Sequence, residues 1–157
     1  MNTQELAAQL KEFQQKAINV ANLYDWMANE RIKKEPQELR GRLYDAFGIR
    51  GGDLTTYDKV GDFNGDKFTC SYEYNDACNC HPEYRDWELT LPTAWLDLED
   101  GELRKAIDKR FDQKVEQVKE TIAAEAAKEA EKKRQQRINK EQDERETLAK
   151  LKAKYEK

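Results

Sequence analysis

The chain predicts an α+β fold: a three-stranded antiparallel meander packed on N-terminal helices and followed by a long charged C-terminal helix. Three observations predict it. Apolar residues recur every three or four positions up to residue 50, every two positions between residues 53 and 91, and every three or four again after residue 101. Asn64-Gly65 is the strongest short-range hairpin signal available, because a two-residue turn needs φ > 0. From Ala123 to Thr147 the sequence is dominated by Ala, Glu, Lys, Arg and Gln, all strong helix formers.

The first helix is expected over 3–34. Leu6, Leu10, Phe13, Ala17, Val20, Leu23, Trp26 and Met27 form its apolar stripe, and Thr3 is its expected N-cap, with no clean capping box. Pro36 disfavours α geometry at Glu35, so the helix ends or resets there. Pro36 also suits the first turn of a second helix with Leu39, Leu43 and Phe47 on one face and Gly48 as its stop.

Strands are expected at 54–63, 67–74 and 84–91. A two-residue turn at Asn64-Gly65 sets Phe63 opposite Asp66, Asp62 opposite Lys67 and Gly61 opposite Phe68, which leaves Val60 on the outer face. In the second hairpin, Tyr72 opposite Trp87 brings Cys70 to Leu89 and Phe68 to Leu91. One face is then apolar throughout, and a slip of one residue would destroy it. That face needs a cover, because Phe68, Tyr72, Trp87, Leu89 and Leu91 together would expose too large an apolar patch. The stripes of helices 6–27 and 103–122 are the available covers, and they have the option of pairing as an antiparallel coiled coil. Pro92-Thr93-Ala94-Trp95-Leu96 reads as a strand exit into a short helical turn. After Asp100-Gly101 a long helix carries Leu103, Ile107, Phe111, Val115, Val118 and Ile122 on one stripe, and then the stripe thins. About 55 residues at 1.5 Å each reach roughly 80 Å, so its distal half is expected to be solvated, paired with another chain or folded back along the first helix.

The 157 residues allow one domain with an appendage, at roughly 100–200 residues per domain. Three segments are expected: helical 1–50, acidic β-meander 51–100 and charged helix 101–157. Charge divides the same way. The first segment has 8 Lys/Arg and 7 Asp/Glu, the second 3 and 12, the third 17 and 13, giving +1, −9 and +4. The acidic centre repels a phosphate backbone and attracts a basic surface. No apolar run of about 18 residues offers a membrane span. The N-terminus has neither a basic nor an apolar signal region, so a cytoplasmic protein is expected. Three cysteines, an odd number, predict free thiols rather than a disulfide framework.

The acidic residues Asp58, Asp62, Asp66, Glu73, Asp76, Glu83, Asp86 and Glu88 are the candidate partner-binding surface, against the alternative of a merely solvated polar face. Cys70, Cys78, Cys80 and His81 are a candidate zinc set, since three cysteines and a histidine bind structural zinc. One residue between Cys78 and Cys80 is a poor spacing for it, and the expected cofactor is none. Cys80 and His81 are adjacent, which points their side chains apart, and no strained elbow or phosphate loop accompanies them. No enzyme is expected. The basic run Lys132-Lys133-Arg134-Gln135-Gln136-Arg137 is interleaved with glutamates and lacks aromatics for base stacking, so nucleic acid is not an expected direct ligand. Trp26, Trp87 and Trp95 are expected where helix meets sheet.

Trp87-Glu88-Leu89-Thr90-Leu91-Pro92-Thr93-Ala94-Trp95-Leu96 resembles a pattern in small accessory proteins of tailed bacteriophages. There a meander's last strand ends in an aromatic or leucine followed by proline, and a helix opens with an aromatic-leucine pair. The resemblance spans about residues 54–98. It implies a phage-encoded protein that binds and modulates a host or phage protein, and it implies no particular site. The sequence therefore leads to a non-enzymatic binding protein acting through its acidic β surface or its long helix. The alternatives are an assembly protein that oligomerises through residues 103–157, and a small zinc-binding or nucleic-acid-associated protein.

Overall fold

The computed structural model describes residues 2–51, 56–75, 77 and 80–156. Its order is α1 (Thr3–Ile32), α2 (Gln37–Phe47), β1 (Lys59–Asn64), β2 (Lys67–Asn75), β3 (Tyr84–Pro92), a 3₁₀ turn (Thr93–Asp97) and α3 (Asp100–Tyr155). The sheet is a meander in the order β1-β2-β3. This is the α+β fold the sequence predicts. The chain forms two compact units, Met1–Val115 and Glu116–Lys157.

Asn2, not Thr3, caps α1. Its Oδ1 accepts from the Glu5 N–H at 2.8 Å, and Glu5 Oε2 accepts from the Asn2 N–H at 3.1 Å, closing the reciprocal box. The buried stripe of α1 runs Ala17, Val20, Ala21, Tyr24, Asp25, Ala28 and Ile32. Leu6, Leu10 and Trp26 are instead about half exposed. Trp26 lies two residues past Tyr24, some 200° around the helix at 3.6 residues per turn, so it cannot share the face that Tyr24 buries. Pro36 stands just before α2, and Gly48 ends it at φ 70°, in the left-handed region.

The β2–β3 register follows the predicted pairs: Phe68 opposite Leu91, Cys70 opposite Leu89, Tyr72 opposite Trp87. The first hairpin differs. Its turn residues are Gly65-Asp66, and Phe63 pairs with Phe68 and Asn64 with Lys67. Within this hairpin only Gly65 has positive φ, at 48°. A turn with glycine first needs positive φ at only that position, whereas one centred on Asn64-Gly65 needs it at Asn64 too. Asp62 therefore does not face Lys67. A bulge between Val60 and Phe63 sets Gly61 and Asp62 together against Thr69. It turns Val60 inward opposite Cys70, correcting the expected outward placement.

The core lies between the inner sheet face and α1, the end of α2, the 3₁₀ turn and the start of α3. Phe111 stacks on Phe47 at 4.5 Å and leans on Tyr24 at 5.0 Å, and Tyr24 lies 6.0 Å from Trp95. Each fully buried large side chain contributes about 1.5–3 kcal/mol through loss of apolar contact with water. Arg31 closes the rim through ion pairs to Asp108 and Asp112. In α3, Leu103, Ile107, Phe111 and Val115 are buried. No described residue beyond Val115 is buried, although Val118, Ile122 and Ile138 are partly shielded. No described helix is long and apolar enough to cross a membrane.

Candidate interaction surface

Directly opposed residues of an antiparallel pair share a face, and successive residues alternate. With Phe68, Cys70 and Tyr72 buried inside, the outer face carries Thr69, Ser71 and Glu73 from β2 and Asp86, Glu88 and Thr90 from β3. Thr69 and Thr90 touch through their hydroxyls at 3.1 Å. Glu73 stands directly opposite Asp86, and Glu88 opposite Ser71. Glu88 is thus diagonal to Glu73, and three carboxylates share one exposed patch. Lys59, opposite Ser71 from the other side, reaches Asp86 at 3.8 Å. One exposed ammonium offsets only part of that charge.

The remaining acidic residues distribute around this patch. Asp62 is on the bulge and Asp66 in the turn, where the Asp66 carbonyl accepts from the Thr93 N–H at 2.8 Å. Asp58 precedes β1, its N–H donating to the Ser71 carbonyl at 3.1 Å. Glu83 precedes β3 and pairs with Arg85 at 3.3 Å. All seven are exposed, and Asp76 lies outside the described residues. The ion pairs described for this surface, Lys59–Asp86 and Arg85–Glu83, stay within the sheet and its connection.

The candidate zinc set falls on different environments. Cys70 is fully buried on the inner face, and desolvation pushes its thiol up to about 11. Cys80 and His81 are exposed, and Cys78 lies outside the described residues. Cys80 is disulfide-bonded, a correction to the expected free thiols. Sulfur in a disulfide is not the thiolate that zinc binds. Among the described residues no three His, Cys, Asp or Glu form a metal-holding group.

A buried polar cluster was not legible in the sequence. Asn22 clasps the backbone of Tyr57 like a strand partner: its Oδ1 accepts from the Tyr57 N–H at 2.7 Å, and its amide donates to the Tyr57 carbonyl at 3.3 Å. One turn on, Asp25 is 4% exposed and accepts from the Asn29 amide at 2.7 Å through Oδ1. Its Oδ2 and the neighbouring Tyr57 hydroxyl are buried without a hydrogen bond of normal geometry. Desolvation raises the Asp25 carboxyl to about 6, against the opposing pull of Tyr57 and Asn29. Desolvation, with the Asp25 charge beside it, drives Tyr57 upward too, so its phenol stays neutral. The signal available was Asn22, Asp25 and Asn29 recurring at helical spacing along the apolar stripe of α1. With its carboxylate enclosed, this cluster holds the segment leading into β1 to α1 and offers no open surface.

The basic run of α3 is exposed and partly neutralised within its own helix, by Glu129–Lys133 at 3.9 Å and Glu131–Arg134 at 3.0 Å. Leu148, Leu151 and Tyr155 near its end are exposed. No family model, curated protein or solved structure matches this chain.

Proposed function

We propose that this is a non-enzymatic protein-binding modulator whose β-meander docks onto a basic protein surface through its acidic outer face. The observation that carries the reading is the exposed patch of Glu73, Asp86 and Glu88, in which two carboxylates are held directly opposite each other. Like charges so placed cost stability. A cationic partner would recover that cost, and the attraction would steer its approach. The resemblance at Trp87–Leu96 supports a phage-encoded protein acting on a host or phage protein in the bacterial cytoplasm.

The test compares the wild-type chain with the triple variant E73Q/D86N/E88Q as bait in bacterial lysate, with captured proteins identified by mass spectrometry. The expected result is a specific cationic protein retained at low and moderate salt by the wild type and lost by the variant. Equal capture by both overturns the reading.

A second reading has its own observation: α3 continues for some 40 residues past its last buried side chain and ends with Leu148, Leu151 and Tyr155 exposed. That favours an assembly protein joined through this helix. Sedimentation of the full chain and of a chain lacking residues 123–157 distinguishes the two, since only assembly requires association that the truncation abolishes.

A further inference from the structure

The meander has two edges, and they are not alike. β1 is six residues long, is broken by the bulge at Gly61-Asp62 and packs against α1, where Phe63 meets Phe13 at 5.2 Å between ring centroids. Short length, a bulge and a covering helix are the usual ways of blunting an edge. β3 has none of them. It runs nine residues in unbroken register with β2, and its one proline, Pro92, is its last residue. Among the described residues no backbone group pairs with its outer edge. An antiparallel partner on one side satisfies only alternate residues, so β3 presents a row of N–H and C=O groups to the outside.

The charges along β3 decide what fits there. Pairing β3 with its own copy in the fullest antiparallel register that keeps the apolar faces aligned sets Glu88 against Glu88. Two shorter registers follow: one sets Asp86 against Glu88, and the other sets Asp86 against Pro92, which has no N–H to donate. The first two of the three bring carboxylates together in the row next to Glu73, which is unfavourable, and the last loses a main-chain hydrogen bond. A strand with cationic side chains on the same face meets no such penalty. Between Asp86 and Glu88 lies Trp87, on the inner face. Its ring is held by Nε1 donating to the Gly48 carbonyl at 3.3 Å and by an edge contact to Tyr74 at 6.3 Å. Trp87 remains only partly buried, so its rim offers apolar contact to a neighbouring strand.

Resting on the reading of the meander as the docking module, we propose that the outer edge of β3 takes up an extended segment of a partner protein as a fourth strand. The three residues opposite Asp86, Trp87 and Glu88 are then basic, apolar and basic. Main-chain hydrogen bonds hold the segment, and alternation of its side chains selects it.

The test uses the full chain and a fluorescent heptapeptide of alternating lysine and valine. Binding is followed by anisotropy, and protection by amide hydrogen exchange resolved along β3. The expected result is saturable binding that protects every second amide from Tyr84 to Leu91. D86N/E88Q should weaken it roughly tenfold, whereas E73Q, on the central strand, should change it only about twofold. A heptapeptide of alternating glutamate and valine should not bind. Peptide binding without alternate-amide protection overturns strand addition while leaving the acidic face as the docking surface. Absence of any binding, with the lysate partner still captured, also overturns strand addition alone. A dimer seen by sedimentation without peptide, with the same β3 amides already protected, assigns the edge to a second copy and overturns the proposal.

Discussion

Glu73 and Asp86 face each other across β2 and β3 on the exposed side of the sheet, with Lys59 3.8 Å from one of them. Opposed like charges on a sheet are destabilising, in the range of roughly 0.2–1 kcal/mol. E73Q is therefore expected to raise the unfolding free energy by about 0.5 kcal/mol. Urea denaturation at low salt measures it, and the gain should shrink as salt screens the repulsion. A loss of stability instead would mean that Glu73 holds the sheet together.

The Asp25 carboxyl is raised to about 6 by burial. The folded state then holds a proton that the unfolded state releases near 3.8. Its favourable contribution is complete below the unfolded value and is lost as pH rises through about 6. The wild type is expected to lose about 2 kcal/mol from this group between pH 4.5 and pH 7.5. In D25N the corresponding slope should vanish. Chemical denaturation of both proteins at the two pH values measures the difference, and an equal slope in both contradicts the assignment to Asp25.

The register of β2 against β3 was legible because Phe68, Cys70, Tyr72, Trp87, Leu89 and Leu91 alternate without a break, so only one pairing buries them together. The register of β1 was not. A bulge is a local choice between pairings that leave Phe63 and Phe68 on one face, and nothing in the string Val60-Gly61-Asp62-Phe63 marks where the extra residue goes. The face of α1 is legible only in part, for a related reason. Ala17 and Val20 are buried as the stripe predicts, but Trp26 outweighs Ala28 in any apolar pattern, and it is the small Ala21 and Ala28, with Tyr24, that continue the buried face. The enclosure of Asp25 is a tertiary outcome, decided by Tyr57 some thirty positions away in sequence. The exposed outer patch is readable only in outline: alternation places Glu73, Asp86 and Glu88 outward, while the positions of Asp58, Asp62 and Asp66 depend on the register and bulge of the first hairpin.

Asn22 satisfies both backbone groups of Tyr57. N22A leaves a buried N–H and C=O without these partners, at a cost of about 2 kcal/mol. Thermal or urea unfolding measures the loss. A change below about 0.5 kcal/mol would indicate that water replaces the clasp.

The described part of residues 123–157 buries no side chain. Deleting that segment is expected to move the thermal midpoint by less than about 4 °C. Circular dichroism should lose helical signal in proportion to the residues removed, with the transition otherwise unchanged. A large fall in the midpoint would show that the distal helix stabilises the rest of the chain.

The most direct test of the docking face is its footprint. Hydrogen exchange on the full chain, with and without the captured partner, reads which amides the partner shields. Docking through the sheet predicts protection in Lys59–Asn64, Lys67–Asn75 and Tyr84–Pro92, diminishing with added salt. Protection confined to the helix beyond Val115, with the strands unchanged, would contradict it.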